Sequence, residues 1–104
     1  MSTYLIYITT STEAEAIEIG KKLLEGKLVA CVNILPSAKS FYWWEGKIEE
    51  GSEAVLIAKT TGRMVEKVKE KVCELHSYEC PCVVALNIDG GNDNFLDWIE
   101  SSVE

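Results

Sequence analysis

His76, Cys80 and Cys82 place one imidazole and two thiols within seven residues of one another. These are ligand types that suit Zn²⁺ or copper, with thiolates favouring soft ions. Against a closed metal site, the spacing is not that of paired C-x-x-C sites and no fourth ligand is specified. Cysteine is also among the residues most often buried as a small inert hydrophobe, so a packing role weighs more heavily. On an extended segment Cys80 and Cys82 would point to the same side, about 7 Å apart at Cα; a disulfide between them would be strained and a shared soft metal easier. Cys31 lies in the apolar run Leu28–Ile34 and reads as a core thiol before a ligand. Cys73 follows Val72 on a predicted helix and reads as structural.

A second group combines Lys59, at the end of a predicted strand, with His76, Tyr78 and Glu79 near the end of a predicted helix. An ammonium, an imidazole, a phenol and a carboxylate at a subunit boundary could line a pocket for an anion, a metal or proton transfer. The same residues would equally serve as a solvated, salt-bridged rim. No nucleophile elbow, Walker A loop, G-x-G-x-x-G frame or spaced calcium loop occurs, so no catalytic residues are expected and the chain does not read as an enzyme.

Phe41, Tyr42, Trp43 and Trp44 form the densest aromatic stretch and read as an oligomer interface rather than a stacking platform for bases. The formal net charge of −7 supports that preference, because nucleic-acid affinity comes from cationic side chains that neutralise phosphates.

These groups sit in a chain of 104 residues, 47% hydrophobic and 26% charged, which predicts a single globular domain over residues 1–104. No apolar window approaches the length of a membrane span, and the start lacks a basic, signal-like segment. The expectation is a cytoplasmic protein with no membrane or nucleic-acid partner, its four cysteines reduced.

Periodicity supplies the elements. Tyr4–Thr9 predicts a buried strand, and Thr12 with Glu15 predicts a capping box that opens a helix with Ala16, Ile19, Gly20 and Leu23 inward and Gly26 as its stop. The run Leu28–Ile34 predicts a strand, with Pro36 marking its end, an edge or a bulge. Residues 40–49 predict a hairpin with its tip near Gly46, and the return arm continues through Ala54–Ala58 to Lys59 with a bulge or bend at Gly51-Ser52. That arm of about a dozen residues would span about 40 Å, longer than a small sheet is wide. Gly62 to His76 predicts a helix with Val65, Val68, Val72 and Leu75 on one stripe, Cys82–Asp89 a fourth strand, and Asn92 or Asp93 the cap of a last helix carrying Phe95, Leu96, Trp98, Ile99 and Val103.

The order β-α-β-β-α-β with a terminal helix predicts an α+β, ferredoxin-like fold, an antiparallel sheet with two helices on one face. Two helices cannot cover both faces of a sheet whose strands are apolar on both sides, and an aromatic two-stranded arm is marginal alone. Self-association is therefore expected.

The segments Val29–Ile34, Ser40–Ile48, Ala58-Lys59-Thr60, His76–Pro81 and Asp97-Trp98-Ile99 together resemble the CutA divalent-cation tolerance family nearly end to end. The resemblance implies a homotrimer of ferredoxin-like subunits similar to the PII signalling proteins, with long hairpins exchanged between subunits. It also implies binding of divalent metals, copper especially, and a part in the response to metal ions, with no obligatory cofactor. Two positions depart from the family pattern: Ser77 stands where a proline usually follows the histidine, and Cys82 where a glutamate usually follows the later proline, so a softer ligand replaces a carboxylate. Two further classes remain open: a PII-like signalling or protein-interaction module with an inter-subunit effector cleft, and, ranked last, an enzyme assembled between subunits with His76 or Lys59 as base.

Overall fold

A computed structural model describes residues 2–104. Its elements are β1 (Thr3–Thr10), α1 (Glu13–Glu25), β2 (Cys31–Trp44), β3 (Lys47–Thr61), a 3₁₀ turn (Gly62–Met64) that leads into α2 (Val65–Leu75), β4 (Val83–Asn87) and α3 (Asp93–Ser102). The four strands form one antiparallel sheet in the order β2-β3-β1-β4, the ferredoxin-like arrangement that the element order predicts.

Register divides the sheet into two faces. Ile6 pairs with Ala58 and Ala85, and Ile8 with Leu56 and Val83, on the side that packs against the buried stripes of α1 (Ala16, Ile19, Gly20, Leu23) and α2 (Val68, Val72). A Cβ on Gly20 would stand 3.2 Å from a Val32 methyl and 3.3 Å from a Leu56 methyl, so only glycine lets α1 lie this close to the sheet without displacing them. The opposite face carries Leu5 opposite Leu86, and Tyr7 opposite Ile57 and Val84. It leaves Leu35, Val84 and Leu86 about half exposed, at 48%, 48% and 52%.

Three local expectations differ from the structure. The apolar run and the aromatic run are one strand, β2, which continues through Pro36 to Trp44. It can do so because β2 is an edge strand, where a missing N–H breaks no ladder bond, and because the register slips between Leu35 and Ala38. The bulge therefore lies at Pro36-Ser37 in β2, and Gly51 and Ser52 pair regularly with Ser40 and Lys39. α1 stops at Gly26 as expected, but the left-handed residue is Lys27 (φ 58°), with Gly26 itself at φ −81°. The bonds Leu28 N–H to Leu23 O and Lys27 N–H to Leu24 O, both 3.0 Å, make it a Schellman cap shifted by one residue. The fourth strand is also shorter at both ends than the run Cys82–Asp89.

β1 pairs with β3 only from Ala54 to Thr61, so Ala38–Trp44 and Lys47–Glu53 project as a two-stranded arm flanked by no other strand. Glu45 and Gly46, at φ 48° and 81°, form its two-residue turn, a geometry that matches the twist of the flanking strands. All residues from Phe41 to Glu50 are exposed. At the other end Asn92 Oδ1 accepts from the N–H groups of Asn94 and Phe95 to cap α3, which buries Ile99 and leads Val103 into the core.

Candidate functional site

The turn after α2 gathers the polar side chains. α2 ends where His76 turns extended (φ −77°, ψ 144°), and the imidazole, with no exposed side-chain surface, lies against the end of β1. Its Nε2 donates to the Thr9 carbonyl at 2.7 Å, and its Nδ1 accepts from the Tyr78 N–H at 3.0 Å. Both ring nitrogens are engaged, so the ring orients the turn and offers no free lone pair to a metal. The Tyr78 ring packs against it at a centroid distance of 4.7 Å.

Two carboxylates bracket this turn. Glu15 is the N3 residue of α1: its N–H donates to Thr12 Oγ1, while its Oε1 accepts from the N–H and hydroxyl of Ser11. The capping box thus closes one residue earlier than expected, and the freed Oε2 accepts from the Ser77 N–H at 2.7 Å. Burial raises the pKa of this carboxyl, but the combined bonds from Ser11 and Ser77 favour the anion more strongly and lower it from 4.5 to about 2. Glu53, at the root of the arm, accepts from Ser40 Oγ at 2.6 Å and from Tyr78 Oη at 3.0 Å. Burial, then the Glu53 carboxylate, push the Tyr78 phenol up to about 12.

Of the four side chains expected to line a pocket between subunits, His76 and Tyr78 meet within one chain, and Lys59 and Glu79 do not join them there. Lys59 lies six residues along β3 from Glu53, about 20 Å away, where its Nζ donates to Asn33 Oδ1 at 2.6 Å beside Cys31. Glu79 is exposed. Glu15 and Glu53, which do meet the turn, and Ser40, which holds Glu53, are not among the site residues the sequence suggests. Glu15 carried a local signal, its cap, whereas Glu53 and Ser40 carried none.

The thiols are dispersed. Cys31 opens β2 and Cys82 precedes β4, on opposite edges of the sheet and at least about 14 Å apart across three strand spacings. Cys73 and Cys80 are exposed, Cys31 and Cys82 half-buried, and all four are free thiols. Among the described residues no three His, Cys, Asp or Glu side chains converge to hold a metal ion within one chain. No helix among them is long and apolar enough to cross a membrane.

Residues 4–102 match the family model described as CutA1 divalent ion tolerance protein. The chain belongs to that CutA1 family. The divalent-cation tolerance protein CutA of Archaeoglobus fulgidus is 50% identical over 99 residues, covering 95% of this chain and 96% of that one. The chloroplastic CutA of Arabidopsis thaliana is 39% identical over 98 residues, and there the chain spans only 54% of the longer protein. Among solved structures, the A. fulgidus CutA, described as periplasmic, superposes with a TM-score of 0.94 at 48% identity, covering 98% of this chain and 99% of that one. The CutA1 of Thermus thermophilus superposes with a TM-score of 0.95 at 41% identity, covering 98% and 99%. The CutA fold, with its arm and its uncovered sheet face, is thus the frame that carries the His76–Tyr78 turn.

Proposed function

We propose that this CutA1 family member is a homotrimeric metal-binding protein, not an enzyme, that acts in tolerance of divalent cations such as Cu²⁺ and Zn²⁺ in the cytoplasm. The observation that carries the assembly is the uncovered apolar face, with Leu35, Val84 and Leu86 about half exposed beside an arm whose Phe41, Tyr42, Trp43 and Trp44 are all exposed. Burying both against further copies removes the arm's unpaired edges. A divalent-cation site then draws ligands from more than one copy, because the ligand types are scattered within each. His76 serves by positioning Tyr78 rather than by ligation. Four free thiols suit a reducing compartment.

Light scattering of the purified protein, followed by calorimetric titration of the reduced, metal-free form with Zn²⁺ and Cu²⁺, tests both halves. The expected result is a trimer with saturable binding at a fixed stoichiometry per trimer. A stable monomer at micromolar concentration overturns the assembly. Weak, unsaturable binding favours a second reading, a PII-like interaction module. The observation in its favour is that Ser40 and Tyr78 both hold Glu53, joining the arm to the turn after α2, so that an effector at the turn would be felt in the arm.

A further inference from the structure

His76 is the only histidine in the chain, and its imidazole, with no exposed side-chain surface, is held by two backbone groups of opposite demand. Nε2 donates to the Thr9 carbonyl at 2.7 Å, whereas Nδ1 accepts from the Tyr78 N–H at 3.0 Å. Only the neutral ring with its proton on Nε2 satisfies both. A proton added at Nδ1 would face an N–H that already points at that nitrogen, so the imidazolium cannot keep this turn as it stands.

The charged ring has another acceptor within reach. Around His76, β1 offers the Thr9 carbonyl, α2 the Val72 carbonyl that holds the His76 N–H at 2.9 Å, and α1 the Glu15 carboxylate, with Oε2 3.8 Å from Nδ1. That oxygen already accepts from the Ser77 N–H at 2.7 Å. A protonated Nδ1 that turns to Glu15 therefore gives up the Tyr78 amide and competes with the Ser77 amide. The turn has one arrangement for the neutral ring and a different one for the charged ring. Tyr78 carries that difference outward. Its ring packs against the imidazole at a centroid distance of 4.7 Å, and its Oη donates at 3.0 Å to Glu53, which also accepts from Ser40 Oγ at the root of the arm.

We propose that the turn after α2 is a pH-sensitive latch on the arm: a proton taken from solvent at His76 Nδ1 turns the ring toward Glu15, releases Tyr78 and loosens Glu53 at the root of the arm. The unlatched form binds one more proton than the latched form. The latch is therefore closed above the range in which imidazoles take up a proton and opens as the pH falls through it, from about pH 8 to 5. Glu15, with its pKa lowered to about 2, stays an anion across that range, so the acceptor that the charged ring needs is always present. No metal ion takes part, and the latch stands apart from the metal-binding reading. It gives the link between the turn and the arm a definite input, the proton.

The test is amide hydrogen exchange of the full chain at about pH 8 and about pH 5, corrected for the intrinsic exchange rate, with the C2–H resonance of this single imidazole followed by NMR over the same range. The resonance is expected to titrate. Exchange in residues 38–53 and 76–80 is expected to speed up by about tenfold at the lower pH, the scale of a lost hydrogen bond, while β1 keeps its protection. His76→Asn offers a neutral oxygen in place of Nδ1 and takes no proton, so its arm is expected to exchange slowly at both pH values. Tyr78→Phe lacks the hydroxyl, and its arm is expected to exchange fast at both. A wild-type arm that ignores pH, an equal response in His76→Asn, or a C2–H resonance that does not titrate in this range overturns the proposal. Should His76→Asn fail to fold, Tyr78→Phe decides, because a pH response of the arm that persists there also overturns it. Light scattering at both pH values keeps the assembly separate. A monomer whose arm loosens in this pattern loses the trimer and keeps the latch, and a trimer whose arm ignores pH loses the latch and keeps the trimer.

Discussion

Glu15 joins three segments through one carboxylate, from Ser11 and Thr12 at the start of α1 to Ser77 after α2. Its lowered pKa contributes stability that is fully present above pH 4.5 and is lost as the pH falls from 4.5 toward about 2. With the side chain only 13% exposed, that contribution is on the order of 2 kcal/mol after allowance for screening. Glu15→Gln is therefore expected to lower stability at pH 7 by about this amount and to flatten the acid limb of a denaturation profile; an unchanged limb would refute the assignment. The Tyr78 phenol works with the opposite sign. Its raised pKa supports the fold below pH 10, and that support fades as the pH rises toward about 12. Tyr78→Phe removes one of the two hydroxyl donors to Glu53 and is expected to cost about 1 kcal/mol by chemical denaturation.

At the scale of elements, amphipathic patterning placed α1, α2 and α3 because each buries one stripe against a single sheet. Boundaries depended on finer geometry. The helix stops at Gly26 as expected, and the chain reaches the left-handed region one residue later, where Leu28 bonds back to the Leu23 carbonyl. Lys27 pays the Cβ penalty of that conformation, so Lys27→Gly is expected to raise stability by about 0.5–1 kcal/mol, read as a higher Tm. Glu45 bears a similar strain at the arm tip, at φ 48°. Glu45→Asn, giving the Asn-Gly pair that such turns favour, is expected to stabilise the arm by about 0.5 kcal/mol in a thermal melt. Pro36 was legible as a strand end, an edge or a bulge, and the strand order and register decide for a bulge on an edge strand that joins the two runs.

The whole molecule measures 44 × 26 × 22 Å, elongated by an arm whose strands pair only with each other and whose root is tied to the turn after α2 through Glu53 and Tyr78. The face that carries Leu35, Val84 and Leu86 and the arm are where one subunit is incomplete. Val84→Glu/Leu86→Glu places two charges on that face without touching the core beneath the helices. It is expected to shift the protein to smaller species in light scattering while circular dichroism stays folded; an unchanged mass would show that assembly does not use this face.

The alternation and helical periods of this sequence determined the element order, the inward stripes, the reach of the arm and the family motifs, because each depends on residues near one another in the chain. Only the tertiary structure decided which polar groups meet. It set His76 against Thr9, Ser77 against Glu15 and Tyr78 against Glu53, and it parted Lys59 from that turn by the length of a strand. Those meetings depend on strand order and register, which bring residues up to 67 positions apart within bonding distance. No local pattern encodes a bond between groups that separate segments supply.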